Sequence, residues 1–203
     1  MNTITVPTSS LNAVTDAVQV LKNGGLVALP TDTVYGLAAL VTNNAAIDRL
    51  YQVKERSHQK AIAVLVGNLD QVDQVVGHFS EDANRLARHF WPGALTLVLP
   101  KHPDLPANLS PLPTIGVRMP DHAFALELLR RVGPLATTSA NISGGPNPRD
   151  AAEVLAQLNG KLELLLDGGP VPGGIPSTVV DCTEEEYKIL REGAITLDQI
   201  LNV

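Results

Sequence analysis

Several short strings carry side chains suited to holding anions. Lys54-Glu55-Arg56, with Lys60 four residues further on, sets two cations one residue apart and a third close by. If the segment folds back, these would converge on phosphate oxygens, arginine as a bidentate fork and lysine as a compact point charge. Cations at a helix end would equally complement its dipole. Thr114-Ile115-Gly116-Val117-Arg118 places an arginine in an apolar run, where an unpaired charge is expensive. That arginine calls for an anionic ligand or for a salt bridge to Asp181 or another carboxylate. A further arginine, Arg191, follows Ile189-Leu190 and opens Arg191-Glu192-Gly193.

Hydroxyl-rich strings accompany the cations. Pro30-Thr31-Asp32-Thr33-Val34-Tyr35-Gly36 leaves the apolar run Leu26-Val27-Ala28-Leu29. Ligands usually bind at the carboxyl ends of strands in open α/β sheets. A turn in which Asp32 and the threonines satisfy their own backbone is the other reading. Thr137-Thr138-Ser139-Ala140-Asn141-Ile142-Ser143-Gly144 gathers hydroxyl, amide and backbone N–H groups after a short apolar strand. Such a turn makes an anion nest or, equally naturally, a capped loop. Pro176-Ser177-Thr178-Val179-Val180-Asp181 opens a strand with two hydroxyls.

Familiar catalytic templates are absent. The sequence contains no G-x-x-x-x-G-K-[ST], no G-x-G-x-x-G after a strand, and no G-x-S-x-G, H-E-x-x-H or C-x-x-C. The five histidines are scattered, so no histidine-centred metal site is expected. Cys182 stands alone, which excludes an intrachain disulfide and a cysteine-built metal cluster, and fits a reducing, cytoplasmic setting. Residues 1–10 carry no secretory pattern, and no apolar run is long enough to span a bilayer.

Composition bounds the rest. With 203 residues, 44% of them hydrophobic, the chain is long enough for one domain, expected over residues 1–203, with a real core. A formal net charge of -6 argues against coating nucleic acid or anionic membrane through bulk charge. It does not exclude a local basic pocket.

The elements that would position these strings can be read from period and punctuation. Helices are expected from about Ser10 to Asn23 (capped by Ser9 or Ser10), from Asn43 or Asn44 to Lys54, over Leu69–Phe79 and Ser80–Phe90, and over His122–Val132, Asp150–Leu158 and Leu197–Leu201. Buried-type strands are expected at Leu26–Leu29, Ala61–Val66, Leu95–Leu99, Ile115–Met119, Leu135–Thr137, Leu162–Leu166 and Thr178–Val180. The stretch from Pro100 to Pro113 reads as a surface loop. The link between Leu95–Leu99 and Ile115–Met119 is too short for a crossover helix, so an antiparallel pair inside a mixed sheet is expected.

Taken in order, these strings resemble the YrdC-like family of L-threonylcarbamoyladenylate synthases. The resemblance rests on Pro30 to Leu37, Lys54-Glu55-Arg56, Trp91-Pro92-Gly93-Ala94-Leu95-Thr96, Gly116-Val117-Arg118-Met119-Pro120, Thr138 to Gly144, Ser177 to Asp181 and Arg191-Glu192-Gly193. It covers nearly the whole chain and points to the short form, without a further C-terminal domain. It implies an α/β fold with a twisted, open mixed sheet, helices around it and a concave basic cavity. The implied reaction takes L-threonine, bicarbonate or CO2 and ATP, with Mg²⁺ accompanying ATP, to threonylcarbamoyl-AMP and pyrophosphate. The product would serve separate threonylcarbamoyl transferase proteins that modify tRNA adenosine next to the anticodon, with at most weak tRNA contact by this chain.

By the same resemblance, Lys54, Arg56, Ser139 and Asn141 form the catalytic set. Lys54, Arg56, Lys60 and Arg191 would contact ATP phosphates, and Thr114 and Asn141 would help hold the nucleotide. Arg118 would pair with the threonine carboxylate, while Thr33, Ser139 and Ser177 would orient the amino-acid end. Ser57, Ala61 and Leu65 stand where relatives often carry two prolines and a histidine, and Arg149 where a small hydroxyl residue is common. A divergent paralogue acting as an RNA-binding or ribosome-associated factor is the alternative. A carbamoyl-transfer domain of hydrogenase-maturation type is a third reading, disfavoured by the single cysteine.

Overall fold

A computed structural model describes residues 2–172, 175–184 and 187–203. Its strands are β1 (Ile4–Pro7), β2 (Val27–Leu29), β3 (Gly36–Leu40), β4 (Ala63–Leu65), β5 (Leu95–Pro100), β6 (Thr114–Arg118), β7 (Leu135–Ser139), β8 (Leu164–Asp167), β9 (Thr178–Asp181) and β10 (Lys188–Arg191). Among the described residues they form one sheet in the order β1-β8-β2-β3-β7-β4-β6-β5-β9-β10. Parallel pairs (β1 with β8, β2 with β8, β4 with β6, β5 with β9) mix with antiparallel ones. The expected antiparallel pair is present, with Leu97 opposite Val117 and Leu99 opposite Ile115.

Six helices surround the sheet among the described residues: α1 (Ala13–Lys22), α2 (Asn44–Lys54), α3 (Glu81–Phe90), α4 (Ala123–Val132), α5 (Ala151–Leu158) and α6 (Leu197–Leu201). Local capping starts most of them. The side chains of Asn43, Ser80 and Asp150 accept from the backbone N–H three residues on, and Thr196 forms a full capping box with Gln199. Each such cap is worth about 1 kcal/mol.

The pleat sorts the strand residues into two sets. On one face Leu37, Ala39, Val64, Leu97, Val117, Ala136 and Leu165 join the main core with residues of α2, α3 and α5. On the other, Val27, Leu29, Ala38, Leu65, Leu135, Leu164 and Leu166 pack against α1 and α4. Burying a leucine or valine stabilises the fold by about 1.5–3 kcal/mol, so both faces contribute where helices cover them.

Four expectations are corrected. Helix α1 begins at Ala13 because a turn uses Pro7 to Asn12 first, with the Ser10 N–H donating to Pro7 O; its N-cap, Asn12, makes no side-chain bond. The expected helix over residues 69–79 is a 3-10 turn, Leu69–Gln74, because Val76 pairs with Lys101 and the Gly77 N–H donates to Pro100 O, drawing the chain toward β5. The stretch 100–113 contains a 3-10 turn at Ala107–Leu109. Strands β1, β3 and β10 were not expected. β1 is recruited by β8, about 160 residues downstream, and β3 is held by β2 and β7 on either side.

Candidate functional site

The face of the sheet that α1 covers over β2, β3 and β8, with α4 packed beside it, is open beyond these helices. Same-face residues there are Gly36 on β3, Thr137 and Ser139 on β7, Ala63 and Leu65 on β4, Gly116 and Arg118 on β6, Thr96 and Val98 on β5, and Val179 on β9. They floor a cavity of about 370 Å³. That size falls within the roughly 300–1,000 Å³ of small-molecule sites. Small side chains keep it hollow. A Cβ on Gly36 would lie 2.8 Å from Thr137 Cγ2, and one on Gly116 would lie 3.2 Å from Thr96 Cγ2.

Three arginines reach the cavity: Arg56, Arg118 and Arg191. Arg118 is nearly buried and held at three points. Its Nε donates to Gly93 O at 2.8 Å, Nη1 to Thr33 Oγ1 at 2.9 Å, and Nη2 to Asp32 Oδ1 at 2.5 Å. Burial pushes its pKa down and the Asp32 carboxylate opposes that shift; the charge of Arg191 pushes it down further. The carboxylate partner is therefore Asp32, whereas Asp181 accepts from Thr183 N and Oγ1. Gly93 presents its carbonyl from the Trp91-Pro92-Gly93 turn, whose Trp91–Pro92 bond is cis and whose Gly93 N–H donates to Met119 O.

Arg191 arrives from the outermost strand. Its Nε and Nη2 donate to Ser177 O at 3.1 and 2.8 Å, and Nη2 also donates to Ser177 Oγ at 3.2 Å. Ser177 Oγ lies 2.7 Å from Thr96 Oγ1, a buried hydroxyl pair on the floor. Gly193 allows this docking: a Cβ there would fall 2.3 Å from Pro176 O. Arg56 follows Glu55, whose left-handed backbone (φ 53°) ends α2 and turns the chain toward the cavity. Arg56 Nη2 donates to Ala61 O at 2.8 Å and Nε to Lys60 O at 3.3 Å. Tyr51 Oη donates to Lys60 O at 3.1 Å and its ring stacks on His58. The loop is thus braced without the prolines, and Ala61 and Leu65 line the cavity.

Other expected residues are placed elsewhere. Lys54 is 1% exposed and lies outside the cavity lining. Its Nζ donates to Ser139 O at 2.5 Å, Asn141 O at 2.5 Å and Asn141 Oδ1 at 3.2 Å. Burial, then the nearby Arg56 charge, lowers its pKa to about 7. Asn141 is likewise buried and outside the lining; its Nδ2 donates to Ile142 O and Gly145 O. Lys60 is exposed and outside the lining. Thr114 shares the pleat of Gly116 and Arg118 but sits at the far end of β6, opposite Pro100.

The turn after β7 is a capped loop rather than an anion nest. Ala140 N–H donates to Tyr35 O, Asn141 to Ser139 O, Ile142 to Gln157 Oε1, Ser143 to Lys54 O and Gly145 to Ile142 O. Arg149 is exposed and pairs with Glu153, away from the lining. The Pro30–Gly36 loop divides its roles. Thr31 Oγ1 donates to Val34 O and accepts from Thr33 N, as a self-satisfied turn requires, while Asp32 and Thr33 serve Arg118. Of the expected site residues, Thr33, Arg56, Arg118, Ser139, Ser177 and Arg191 meet at the cavity. Asp32, Thr96, Gly116 and Asn147 were missed. The period-2 neighbour of Arg118 was the available signal for Gly116.

A sequence profile described as Sua5_yciO_yrdC, Telomere recombination, matches residues 19–193. The chain belongs to the Sua5/YciO/YrdC family. A relative named threonylcarbamoyl-AMP synthase from Bacillus subtilis is 40% identical over 190 residues, covering 92% of this chain and 55% of the relative. The chain thus spans about half the length of that relative. A Mycobacterium tuberculosis relative, provisionally given the same name, is 39% identical over 198 residues, covering 97% of this chain and 91% of the relative. Among solved structures of the family, Pyrococcus abyssi Sua5 complexed with L-threonine superposes with a TM-score of 0.94 at 37% identity, covering 100% of this chain and 60% of that one. Escherichia coli YciO, at 24% identity and a TM-score of 0.86, shares the fold.

Proposed function

We propose that this chain is a threonylcarbamoyl-AMP synthase. The observation that carries the proposal is the convergence of Arg56, Arg118 and Arg191 with Thr33, Ser139 and Ser177 on one concave sheet face. The names of the relatives and the threonine complex of Pyrococcus abyssi Sua5 support it. The reaction asks for a site of this kind. L-threonine and bicarbonate or CO2 give a carbamate; its oxygen attacks the α-phosphorus of ATP, and the bond to pyrophosphate breaks. No covalent enzyme nucleophile is needed. The protein must hold anions together and screen their repulsion, which is positioning and electrostatic work.

In this reading Arg118 receives the threonine carboxylate, Arg56 and Arg191 face the phosphates, and Thr33, Ser139 and Ser177 orient the amino-acid end. Lys54 and Asn141 shape the turn that carries Ser139. The described residues hold no group of three or more His, Cys, Asp or Glu side chains fit for a resident metal. The cavity's donors are hydroxyls, amides and guanidiniums, so Mg²⁺ would enter as the MgATP substrate. No described helix is long and apolar enough to cross a membrane, and a cytoplasmic place beside tRNA-modifying transferases fits this chemistry. An RNA-coating role is disfavoured by the net charge of -6 and by a 3% aromatic content.

Incubation with ATP, L-threonine, bicarbonate and Mg²⁺ tests the proposal. Threonine-dependent release of pyrophosphate and formation of threonylcarbamoyl-AMP are expected. Pyrophosphate release indifferent to threonine would reject it.

A further inference from the structure

Asp32 belongs to the one ion pair that reaches the cavity among the described residues, with side-chain exposures of 8% for Arg118 and 15% for Asp32. Asp32 itself lies just behind the lining, touching it through Arg118. A guanidinium has five N–H donors. Gly93 O, Thr33 Oγ1 and Asp32 Oδ1 take three of Arg118's, leaving two. One stays on Nη1 and one on Nη2, and donors on two neighbouring guanidinium nitrogens can meet the two oxygens of a carboxylate. The three contacts also immobilise the guanidinium before any ligand arrives, which reduces the ordering cost of binding.

The charge balance matters as much as the geometry. Arg191 stands close enough to Arg118 for its charge to be felt there. Two guanidiniums without a nearby carboxylate would favour an acid that lacks a cationic group and would repel an ammonium. An α-amino acid is a zwitterion. A half-buried carboxylate bonded to the very arginine that holds the acid end offsets that repulsion at short range, where the low local dielectric strengthens it.

We propose that Asp32 is the positioning and specificity-determining residue that makes this cavity select α-amino acids over the corresponding acids without an amine. It acts through Arg118, by fixing the fork, and through local charge, by tolerating the ammonium. This inference rests on the synthase reading for the identity of the amino acid.

The test is calorimetric binding of L-threonine and of (2S,3R)-2,3-dihydroxybutanoate, its hydroxy analogue, to the full chain and to Asp32→Asn. The asparagine keeps an oxygen acceptor for Arg118 and removes the charge. The unaltered chain is expected to prefer threonine at least tenfold, and Asp32→Asn to lose that preference through weaker threonine binding while the hydroxy acid is held about as before. In turnover, the KM for threonine should rise with the KM for ATP unchanged. A variant that keeps the full preference, or one that binds threonine more tightly because Asp32 merely competes for Arg118, overturns the inference. Threonine bound with this selectivity but without threonine-dependent pyrophosphate would overturn the synthase reading and leave the role of Asp32 standing. A chain that binds neither acid overturns both.

Discussion

Lys54 Nζ lies 2.5 Å from the backbone oxygen of Asn141 and 3.2 Å from its side-chain Oδ1, so the end of α2 is fastened to the turn after β7. The Lys54 backbone oxygen accepts from the Ser143 N–H at 2.8 Å in the same place. The two segments that bring Arg56 and Ser139 to the cavity are joined at one residue. Lys54 holds those two segments together from beneath.

Lys54→Met keeps the aliphatic stem and removes the donors, leaving Asn141 O and Oδ1 without a partner, while Ser139 O keeps the Asn141 N–H. Loss of about 3 kcal/mol of stability is expected, the cost of buried acceptors left unpaired. Denaturant unfolding reads it directly. Because both segments move, KM for ATP and KM for threonine should rise together; a change confined to ATP would return Lys54 to the phosphates.

Arg56 and Arg118 should separate the substrates. Arg56→Ala is expected to weaken ATP use by about 2 kcal/mol, and Arg118→Ala to weaken threonine binding by a similar amount, both in the range of charge-assisted contacts. Steady-state kinetics with each substrate varied in turn gives the two values. The opposite ordering would exchange their assignments.

Gly116→Val should fill the floor of the cavity with little damage to the core on the reverse face. Its Cβ would meet Thr96 Cγ2 and Ala63 Cβ at 3.2 and 3.6 Å, contacts that small shifts can absorb. Threonine-dependent pyrophosphate release should fall at least tenfold while Tm changes by only a few degrees. Retained turnover would show that substrates lie elsewhere.

Cys182 should be inert in the folded chain. Burial, then the charges of Asp181 and Asp82, pushes its thiol pKa from 9.0 to about 12. At pH 8 a thiol reagent should react only after denaturation. The raised value also means the folded chain holds a proton that the unfolded chain releases between pH 9 and 12. This contribution to stability is intact below pH 9 and is lost as pH climbs through that window. Cys182→Ala should flatten the difference.

Much of this was readable residue by residue. Capping side chains at Asn43, Ser80 and Thr196 fix helix starts locally, and apolar runs bounded by Gly and Pro reveal most strands. β3 escaped because Gly36-Leu37-Ala38-Ala39-Leu40 takes its strand character from β2 and β7, not from its own residues. At the site, Arg118 was legible because a charge in an apolar strand demands a partner, but the partner lies 86 residues earlier, in a loop whose direction no local rule sets. Lys54 and Arg56 looked alike in sequence, and the left-handed Glu55 between them sends one inward and the other to the cavity.

The small residues that floor the cavity alternate with the large ones that fill the core behind it. Gly116 is followed by Val117, Thr96 by Leu97 and Ala63 by Val64. Ligand preference and thermal endurance are therefore written on interleaved letters of the same strands. A protein built this way can revise what it binds on one side of a strand while leaving untouched the alternate residues that keep it folded.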